Sequence, residues 1–366
     1  MTSPVDIAVV GSGAAGLAAA VTSARAGANT LLLDQHPEPG GTGGHSGLTT
    51  LCGLYDDVGQ HLNDGFPREF ADALSDAAPM RMGKVWVLNF RPTRFRELSR
   101  RYLTTTPRLR LLSNTPLTTV VTSDRRIVTV NGFHVRAVVD CTGTAEVARA
   151  IGAACLETDA TTQAPAVLFP LLDVDRVLDT PAAAAQVMLP LARAGFPPVQ
   201  LQPGPDPGLV AAKFTGPAGR VPELIEFLRR HVRGFESCRT EMAEVKTAHR
   251  AGRMIVGRHL LTGEEVRCGR RFPDAVARSA WPIEQWGEDG VARMRYLPPG
   301  RHYDIPARAL QARDCGNLFM AGKTISADVE AIASARVMGC CLATGAAAGK
   351  LAAVRQSSDA EHDTHA

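Results

Sequence analysis

The feature that most restricts the fold of this 366-residue chain is a glycine-rich turn near its start. Residues 6–10 form a short, apolar, β-branched run, which is typical of a buried parallel strand. The pattern GxGxxG follows at 11–16, and an alanine-rich stretch up to Gly27 predicts a helix. Residues 30–33 predict the next strand. The sequence therefore predicts a βαβ unit with its glycines in the first strand-to-helix turn, which indicates the α/β class.

The spacing of these glycines predicts a dinucleotide site. Gly11 permits the tight turn, Gly13 lets a pyrophosphate approach the backbone because it has no Cβ, and Gly16 lets the helix pack close to the strand. The helix N-terminus offers free N–H groups and a partial positive charge. Asp34 stands at the end of the second predicted strand, where a carboxylate accepts hydrogen bonds from the ribose hydroxyls.

A second glycine cluster favours flavin adenine dinucleotide (FAD) over NAD. The βαβ unit alone does not separate the two cofactors. Residues 39–47, PGGTGGHSG, follow Asp34 by a few positions. The backbone of such a loop can run beside the same pyrophosphate and the ribityl chain of the longer cofactor. The alternative is a flexible linker without a ligand.

Three further segments resemble flavoproteins with the fold of glutathione reductase and p-hydroxybenzoate hydroxylase. Residues 138–143, VVDCTG, resemble the strand that returns the chain to the FAD domain, and the runs before it, 108–130, look like a β-meander. Residues 317–322, NLFMAG, and the helical stretch 331–349 are similar to a closing signature, NLxxAG…S…A…SxRxM…TGxAAG. The chain thus resembles the FAD-dependent oxidoreductase family that carries this signature.

The resemblance implies an α/β protein with two parts. The first is a discontinuous Rossmann-like FAD-binding domain with a parallel sheet and a β-meander, and the second is an inserted, mixed α+β substrate domain. The expected boundaries are 1–50, 105–156 and 300–355 for the FAD-binding domain, 51–104 and 157–299 for the substrate domain, and 356–366 for a disordered tail.

The turn, the glycine cluster and the resemblance together assign FAD-binding residues. They lie after the first strand, at the end of the second, in the glycine cluster, after the returning strand and before the closing helix. They are Gly11, Ser12, Gly13, Ala14, Ala15, Gly16, Asp34, Gly40, Gly41, Thr42, Gly43, Gly44, Thr142, Gly143, Gly322, Ser326 and Asp328.

Four residues are candidates for catalysis. Arg336 lies early in the predicted closing helix, whose N-terminus by resemblance faces the pyrimidine edge of the flavin. Its guanidinium could stabilise reduced flavin or hold a substrate carboxylate, and the alternative is an ordinary ion pair. Tyr303 precedes the expected return into the FAD domain, where the cleft should lie, and could accept a proton. Arg253 is a candidate anion clamp, and His45 is expected close to the flavin.

Related positions leave some roles open. Arg258 and Arg278 share the anion-clamp hypothesis with Arg253. Covalent attachment of the flavin to His45 or to Cys52 stays open, although non-covalent binding is expected. Family members often carry a histidine where this chain has Trp286, so no general-base role is inherited there.

The expected activity is that of a dehydrogenase or oxidase, which transfers a hydride from a C–N, C–O or C–C bond of a small polar metabolite to flavin N5. We expect such an enzyme to act in a biosynthetic pathway. Only one dinucleotide fingerprint and no redox CxxxxC motif are found, which indicates oxygen, a quinone or a redox protein as electron acceptor. A monooxygenase or halogenase is the alternative, although Lys323 follows Gly322 where those enzymes carry GDAAH. A non-catalytic binding protein that keeps the flavoprotein fold is a third possibility. The substrate, the direction of reaction and the oligomeric state stay open.

Composition argues against several other classes. The 40 basic and 37 acidic side chains are near balance, so no nucleic-acid partner is expected. The eight cysteines show no CxxC spacing, and no metal site is expected. The start lacks the features of a signal peptide, and the longest uncharged stretch near the end, 337–349, is too short to span a bilayer. We therefore expect a cytoplasmic protein without a membrane partner.

Overall fold

The computed structural model describes residues 4–158, 163–176, 181–287 and 289–363. Its strands are β1 (Ile7–Val10), β2 (Thr30–Leu33), β3 (Thr50–Cys52), β4 (Met80–Met82), β5 (Val85–Asn89), β6 (Leu109–Leu112), β7 (Val120–Ser123), β8 (Arg126–Val130), β9 (Phe133–His134), β10 (Ala137–Asp140), β11 (Cys155–Glu157), β12 (Ala166–Leu171), β13 (Val199–Pro203), β14 (Val210–Phe214), β15 (Lys246–Ala248), β16 (Arg253–Ile255), β17 (Ala275–Ser279), β18 (Ile283–Trp286), β19 (Ala292–Arg295), β20 (Tyr303–Pro306) and β21 (Leu318–Met320).

Helices connect these strands. They are α1 (Ala14–Arg25), α2 (Gly41–His45), α3 (Phe66–Leu74), α4 (Pro92–Thr105), α5 (Glu146–Ala150), α6 (Pro181–Arg193), α7 (Val221–His231), α8 (Gly263–Cys268), α9 (Val329–Ala335) and α10 (Met338–Asp363), with short 3₁₀ turns at Ala218–Arg220, Met242–Glu244, Ala307–Leu310 and Gly322–Thr324.

A five-stranded parallel sheet forms the centre of the fold, in the order β21-β10-β1-β2-β6. β1 lies between its two partners with Ile7 opposite Ala137 and Thr30, and every residue of β1 and β2 is buried. Strands that are buried on both faces require apolar residues at successive positions, as these runs have. The predicted α/β fold with a parallel sheet is confirmed.

One predicted strand belongs to a different sheet. The run around residues 108–112 was expected in the β-meander, but β6 pairs with β2 as the edge of the parallel sheet, with Leu111 opposite Leu32. The antiparallel meander consists of β7, β8 and β9 instead. The half-buried leucines of β6 pack against the core, which places this strand in the parallel sheet.

Helices α1 and α10 pack against each other beside the parallel sheet. A Cβ at Gly345 would overlap the carbonyl oxygen of Ala15, and a Cβ at Gly349 would overlap that of Ala19. The glycines of α10 therefore bring its backbone into direct contact with α1. Such close approach is available only to residues without side chains.

The closing helical segment is broken rather than continuous. The axes of α9 and α10 differ by 95°, and Arg336 follows the last residue of α9. α10 extends to Asp363 and so includes part of the predicted tail, residues 356–366; residues 364–366 lie outside the described part. The stretch 350–363 contains neither proline nor glycine, so nothing in it interrupts the helix.

A second sheet carries its own apolar core. It is antiparallel, in the order β13-β14-β12-β15, and it packs against α6 and α7. The fully buried Phe169, Phe214 and Phe235 contribute to this core. The sheet falls within 157–299, the range predicted for the substrate domain; the exact domain boundaries remain a proposal. In the described part of the chain, no single helix meets the criteria of a membrane span, whereas α9 and residues 338–354 of α10 meet them only as a bent pair.

Candidate cofactor and substrate site

The turn between β1 and α1 has the geometry that its three glycines predict. Gly11 has a φ of +96°, and a Cβ there would lie 2.6 Å from the carbonyl oxygen of Cys141. Gly13 opens onto free space, since a Cβ there would meet only the Cα of Gly41, at 3.9 Å. A Cβ at Gly16 would overlap the carbonyl oxygen of Gly11. The turn thus leaves one approach to its backbone, at Gly13.

Asp34 joins this turn to the end of β2. Its Oδ2 accepts a hydrogen bond from the Ser12 N–H at 2.5 Å, and its Oδ1 accepts one from the His36 N–H at 2.7 Å. The side chain is largely buried but lines a cavity that begins at the turn. Each carboxylate oxygen retains further acceptor capacity, which hydroxyl groups could use.

The second glycine cluster packs directly on the first. It forms the short helix α2, and the Gly40 N–H donates to the carbonyl oxygen of Ser12 at 3.1 Å. A Cβ at Gly41 would lie 2.8 Å from the Cα of Gly13. A Cβ at Gly44 would meet the side chain of Arg96. The cluster is therefore a fixed wall of the site.

The cavity runs from the turn to the face of the second sheet. Its volume is about 730 Å³, which suits a ligand site. At the turn it is lined by Gly11, Ser12, Gly13, Ala14, Ala15, Asp34, Gly41, Thr42, Gly43, Thr142, Gly143 and Gly322, and at the far end by Leu168, Gln200, Gln202, Lys213, His249, Arg250, Trp281, Glu284 and Arg336.

Three cations meet at the far end, and we call Lys213, Arg250 and Arg336 the cationic cluster. Lys213 projects from β14, Arg250 follows β15, and Arg336 stands at the bend between α9 and α10. One carboxylate, Glu284 of β18, lies beside them, with its Oε1 3.8 Å from Lys213 Nζ.

Trp286 organises two of these cations. Lys213 Nζ lies 4.0 Å from the centroid of its ring and Arg250 Cζ lies 4.2 Å from it, both within cation–π range. The indole N–H donates to Glu284 Oε1 at 2.7 Å, and that of Trp281 donates to Glu284 Oε2 at 3.0 Å. Two tryptophans therefore hold the carboxylate while one of them supports the cations.

Arg336 is only partly satisfied. Its Nη2 donates to Gln163 Oε1 at 2.8 Å and is 3.3 Å from the Glu284 carbonyl oxygen. Its Nε is buried, and the described part of the chain supplies no hydrogen-bond partner for it. A buried donor without an acceptor is costly, so this atom is suited to a ligand.

Burial changes the titration of the cluster. It lowers the pKa of Lys213 to about 8, although Glu284 opposes the change. Burial and the neighbouring Arg336 lower the pKa of Arg250 to about 10. Burial also disfavours the ionised form of Glu284, yet Lys213 and Arg336 hold its pKa below the ordinary value. The site thus combines an ionised carboxylate with cations that are desolvated.

The sequence matches the family described as FAD dependent oxidoreductase over residues 6–190 and 204–364. The chain belongs to this family. Its cofactor is accordingly FAD, and membership of the family identifies the protein as an oxidoreductase. Among curated protein sequences, none matches the chain.

Several solved flavoprotein structures have the same fold. One is a geranylgeranyl bacteriochlorophyll reductase-like protein from Thermoplasma acidophilum, with 12% identity and a TM-score of 0.55 over 97% of this chain and 79% of that one. GidA from Aquifex aeolicus has 13% identity and a TM-score of 0.52 over 97% and 64%. The flavin-dependent brominase Bmp2 has 12% identity and a TM-score of 0.55 over 97% and 80%. At these identities the similarity concerns the fold alone.

The residues at the turn fit FAD. Gly13 exposes its backbone to the cavity, and the Ser12 hydroxyl is buried with no hydrogen-bond partner in the described part of the chain. Phosphate oxygens would accept from such a hydroxyl and from the first N–H groups of α1. Asp34 stands where ribose hydroxyls can donate to it.

Not all predicted FAD-binding residues reach the cavity. Gly16 packs against Gly11 of the turn, and Gly40 and Gly44 pack within the glycine cluster and against Arg96; none of the three lines the cavity. Ser326 is buried, and Asp328 caps α9 by accepting from the Ala331 N–H at 2.7 Å. A cofactor contact for these residues stays a prediction; the hydroxyl of Ser326 is buried and has no hydrogen-bond partner in the described part of the chain.

The predicted catalytic residues are similarly divided. Arg336 lines the cavity, although from the end of α9 and not from the start of a continuous helix. Tyr303 is fully buried outside the cavity lining, its hydroxyl lies 2.8 Å from Ser334 Oγ, and burial raises its pKa. Arg253 pairs with Glu157 on the neighbouring strand. The structure does not bring Tyr303 and Arg253 to the cationic cluster.

The remaining predictions concern residues around the same site. The ring of the exposed His45 lies 3.2 Å from the carbonyl oxygens of Glu38 and Pro39, outside the cavity lining. Cys52 lines the cavity, and burial raises its pKa to about 12, so its thiol is protonated. Arg258 and Arg278 do not line the cavity. Within the described residues, no three His, Cys, Asp or Glu side chains converge on a metal site.

Sequence reasoning missed Lys213, Arg250 and Glu284 as site residues. A signal for Lys213 was available, because it is the one charged residue in the apolar strand Val210–Phe214. A lone lysine on a strand that is otherwise buried must reach water, a counter-ion or a ligand. No local signal distinguishes Arg250 and Glu284 from surface charges.

Proposed function

We propose that this protein is an FAD-dependent dehydrogenase or oxidase that removes a hydride from a small polar metabolite. The observation that supports this proposal is the single cavity that joins the dinucleotide turn to the cationic cluster. Cofactor and polar substrate can therefore meet in one enclosed space. The expected electron acceptor is oxygen, a quinone or a redox protein.

The residues of the site have separate tasks in this proposal. The turn, Asp34 and the glycine cluster would hold FAD, which when bound supplies the hydride acceptor at N5. The cationic cluster binds and orients the substrate, and Glu284 keeps the cluster in place. Trp281 is nearly fully buried and would exclude water from the end of the cavity that it lines, and the buried Trp286 supports Lys213 and Arg250. Fixed orientation of the substrate is the main contribution of a protein to such a reaction.

Anaerobic reduction tests this proposal. The holoenzyme is mixed with a panel of amines, alcohols and hydroxy acids, without NADH or NADPH, and the visible absorbance of the oxidised flavin is followed. We expect at least one substrate class to bleach the absorbance, and oxygen or a quinone to restore it. Bleaching that requires NADH or NADPH, followed by oxygenation or halogenation of the substrate in air, would instead identify a monooxygenase or halogenase.

A further inference from the structure

We propose that the substrate of this site is a small dianion, bound through its two negative charges by Lys213, Arg250 and Arg336. The part of this inference that concerns oxidation of the dianion rests on the proposed function. The part that concerns its binding by the three cations does not. Its basis is the excess of positive charge and of free hydrogen-bond donors at the far end of the cavity.

The charge balance of the cluster is the first step. Lys213, Arg250 and Arg336 carry three positive charges, and Glu284 carries the one negative charge among the far-end residues that line the cavity. The difference, three minus one, is a net charge of +2. The other charged residues of the lining are Asp34, Glu146 and Lys323. Buried charge of one sign needs a partner, and a dianion neutralises this cluster.

The donors of the cluster are the second step. Lys213 Nζ is 3.8 Å from Glu284, and it makes no hydrogen bond to any described residue. Arg250 uses one amino group, Nη1, on the carbonyl oxygen of Ala164. The Nε of Arg336 is buried without a described partner. Guanidinium groups bind carboxylates and phosphates with two parallel hydrogen bonds, so this set matches two anionic groups.

The rigidity of the cluster is the third step. Trp286 is 2% exposed, and both Lys213 and Arg250 lie over its ring. Arg336 is held by Gln163 and by the backbone of β18. These contacts reduce the side-chain entropy that binding would otherwise cost. A cluster that is positioned before the ligand arrives is typical of a binding site.

Equilibrium binding to the oxidised holoenzyme tests the proposal without turnover. The probes are malonate, succinate and glutarate, the half-amide and diamide of succinate, and glycerol 3-phosphate as a phosphate monoester. Binding is measured at pH 7 by calorimetry and by perturbation of the flavin spectrum. We expect the best dianion to bind at least tenfold more tightly than the half-amide, and the diamide to be weakest. The carboxylate and phosphate arms identify which anionic group is preferred.

Variants assign the binding to the cluster. We expect Arg250→Gln and Lys213→Met each to weaken dianion binding about ten- to a hundredfold, or about 1.4–2.8 kcal/mol. The matched control Arg239→Gln removes a surface arginine of the same sheet region, paired with Asp173, and should leave binding unchanged. Far-UV circular dichroism and flavin content verify that each variant is folded.

The outcomes separate this inference from the proposed function. Equal affinity for succinate and its diamide, or dianion binding that neither cluster variant weakens, would overturn the inference. Selective dianion binding that the cluster variants weaken, with no flavin reduction by any dianion, would support the binding of a dianion by the cationic cluster and contradict the dehydrogenase. Flavin reduction by a neutral substrate that does not compete with dianions would support the dehydrogenase and overturn the inference.

Discussion

Arg336 connects the substrate end of the cavity with the bend between α9 and α10. Its guanidinium holds Gln163 and the Glu284 carbonyl while its Nε lacks a described partner. We expect Arg336→Ala to lower the rate of substrate-driven flavin reduction about ten- to a hundredfold, because a charge-assisted hydrogen bond contributes about 1.5–3 kcal/mol. Arg336→Lys should restore the rate only in part, since an ammonium cannot form a bidentate pair. Stopped-flow bleaching of the three proteins measures this; a wild-type rate in the alanine variant would make Arg336 purely structural.

Lys213 gives the site a dependence on pH. Its pKa is lowered from 10.5 to about 8, so it is charged at pH 7 and loses its charge as the pH rises through 8. We expect dianion affinity to be full below pH 7 and to fall between pH 7 and 9. Lys213→Met should have weak affinity throughout that range and no such fall, which titration calorimetry at several pH values would show. The charged and titratable groups that face it are Glu284, Arg250, Cys52 and Arg336, and His249 and Lys323 also line the cavity.

The neighbours of Lys213 allow this change to be attributed to it. Burial raises the pKa of Cys52 to about 12, and Arg250 titrates at about 10, so both keep their charge state from pH 7 to 9. Burial also lowers the pKa of Lys323. A fall in affinity that persists unchanged in Lys213→Met would assign the titration to Lys323 instead.

At the scale of elements, α1 and α10 pack backbone to backbone through glycines of α10. A Cβ at Gly345 would overlap the backbone of Ala15, and a backbone carbonyl cannot rotate away as a side chain can. We expect Gly345→Ala to lower the free energy of unfolding by about 1–3 kcal/mol, even though alanine is the better helix former. Gly219→Ala, at a glycine with open space around it, is the control. Urea unfolding of the wild type and both variants measures this effect. Equal unfolding midpoints for Gly345→Ala and the wild type would show that α10 adjusts without a loss of stability.

At the scale of the whole molecule, FAD connects the turn, the glycine cluster and the cavity. We expect Gly13→Val to fold but to purify with little flavin, because its side chain would enter the free space in front of the turn. The holoenzyme should also melt at a higher temperature than the variant, since a ligand that binds only the folded state stabilises it. Flavin content per chain and thermal melting measure both effects. A fully loaded variant would contradict the assignment of the turn.

The linkage between protein and FAD is expected to be non-covalent. The His45 ring lies outside the cavity lining, and the Cys52 thiol is held in its protonated form, which is a poor nucleophile. Acid precipitation of the holoenzyme should therefore release all of the yellow colour into the supernatant. Colour that stays in the pellet of the wild type and leaves that of His45→Ala or Cys52→Ala would show a covalent bond.

The sequence by itself determined the parallel sheet, the dinucleotide turn and the identity of the cofactor. These features depend on contiguous residues: a buried strand, three glycines that act through the lack of a Cβ, and an acidic residue one strand later. Only the tertiary structure decided the substrate end. Lys213, Arg250, Glu284 and Arg336 come from β14, the segment after β15, β18 and the bend after α9. No local pattern records their proximity, because these residues belong to elements that are far apart in the sequence, with β14 and β18 in different sheets. Tyr303 likewise lies in the core, beside β17 and Ser334 of α9, although its position in the sequence indicated the cleft.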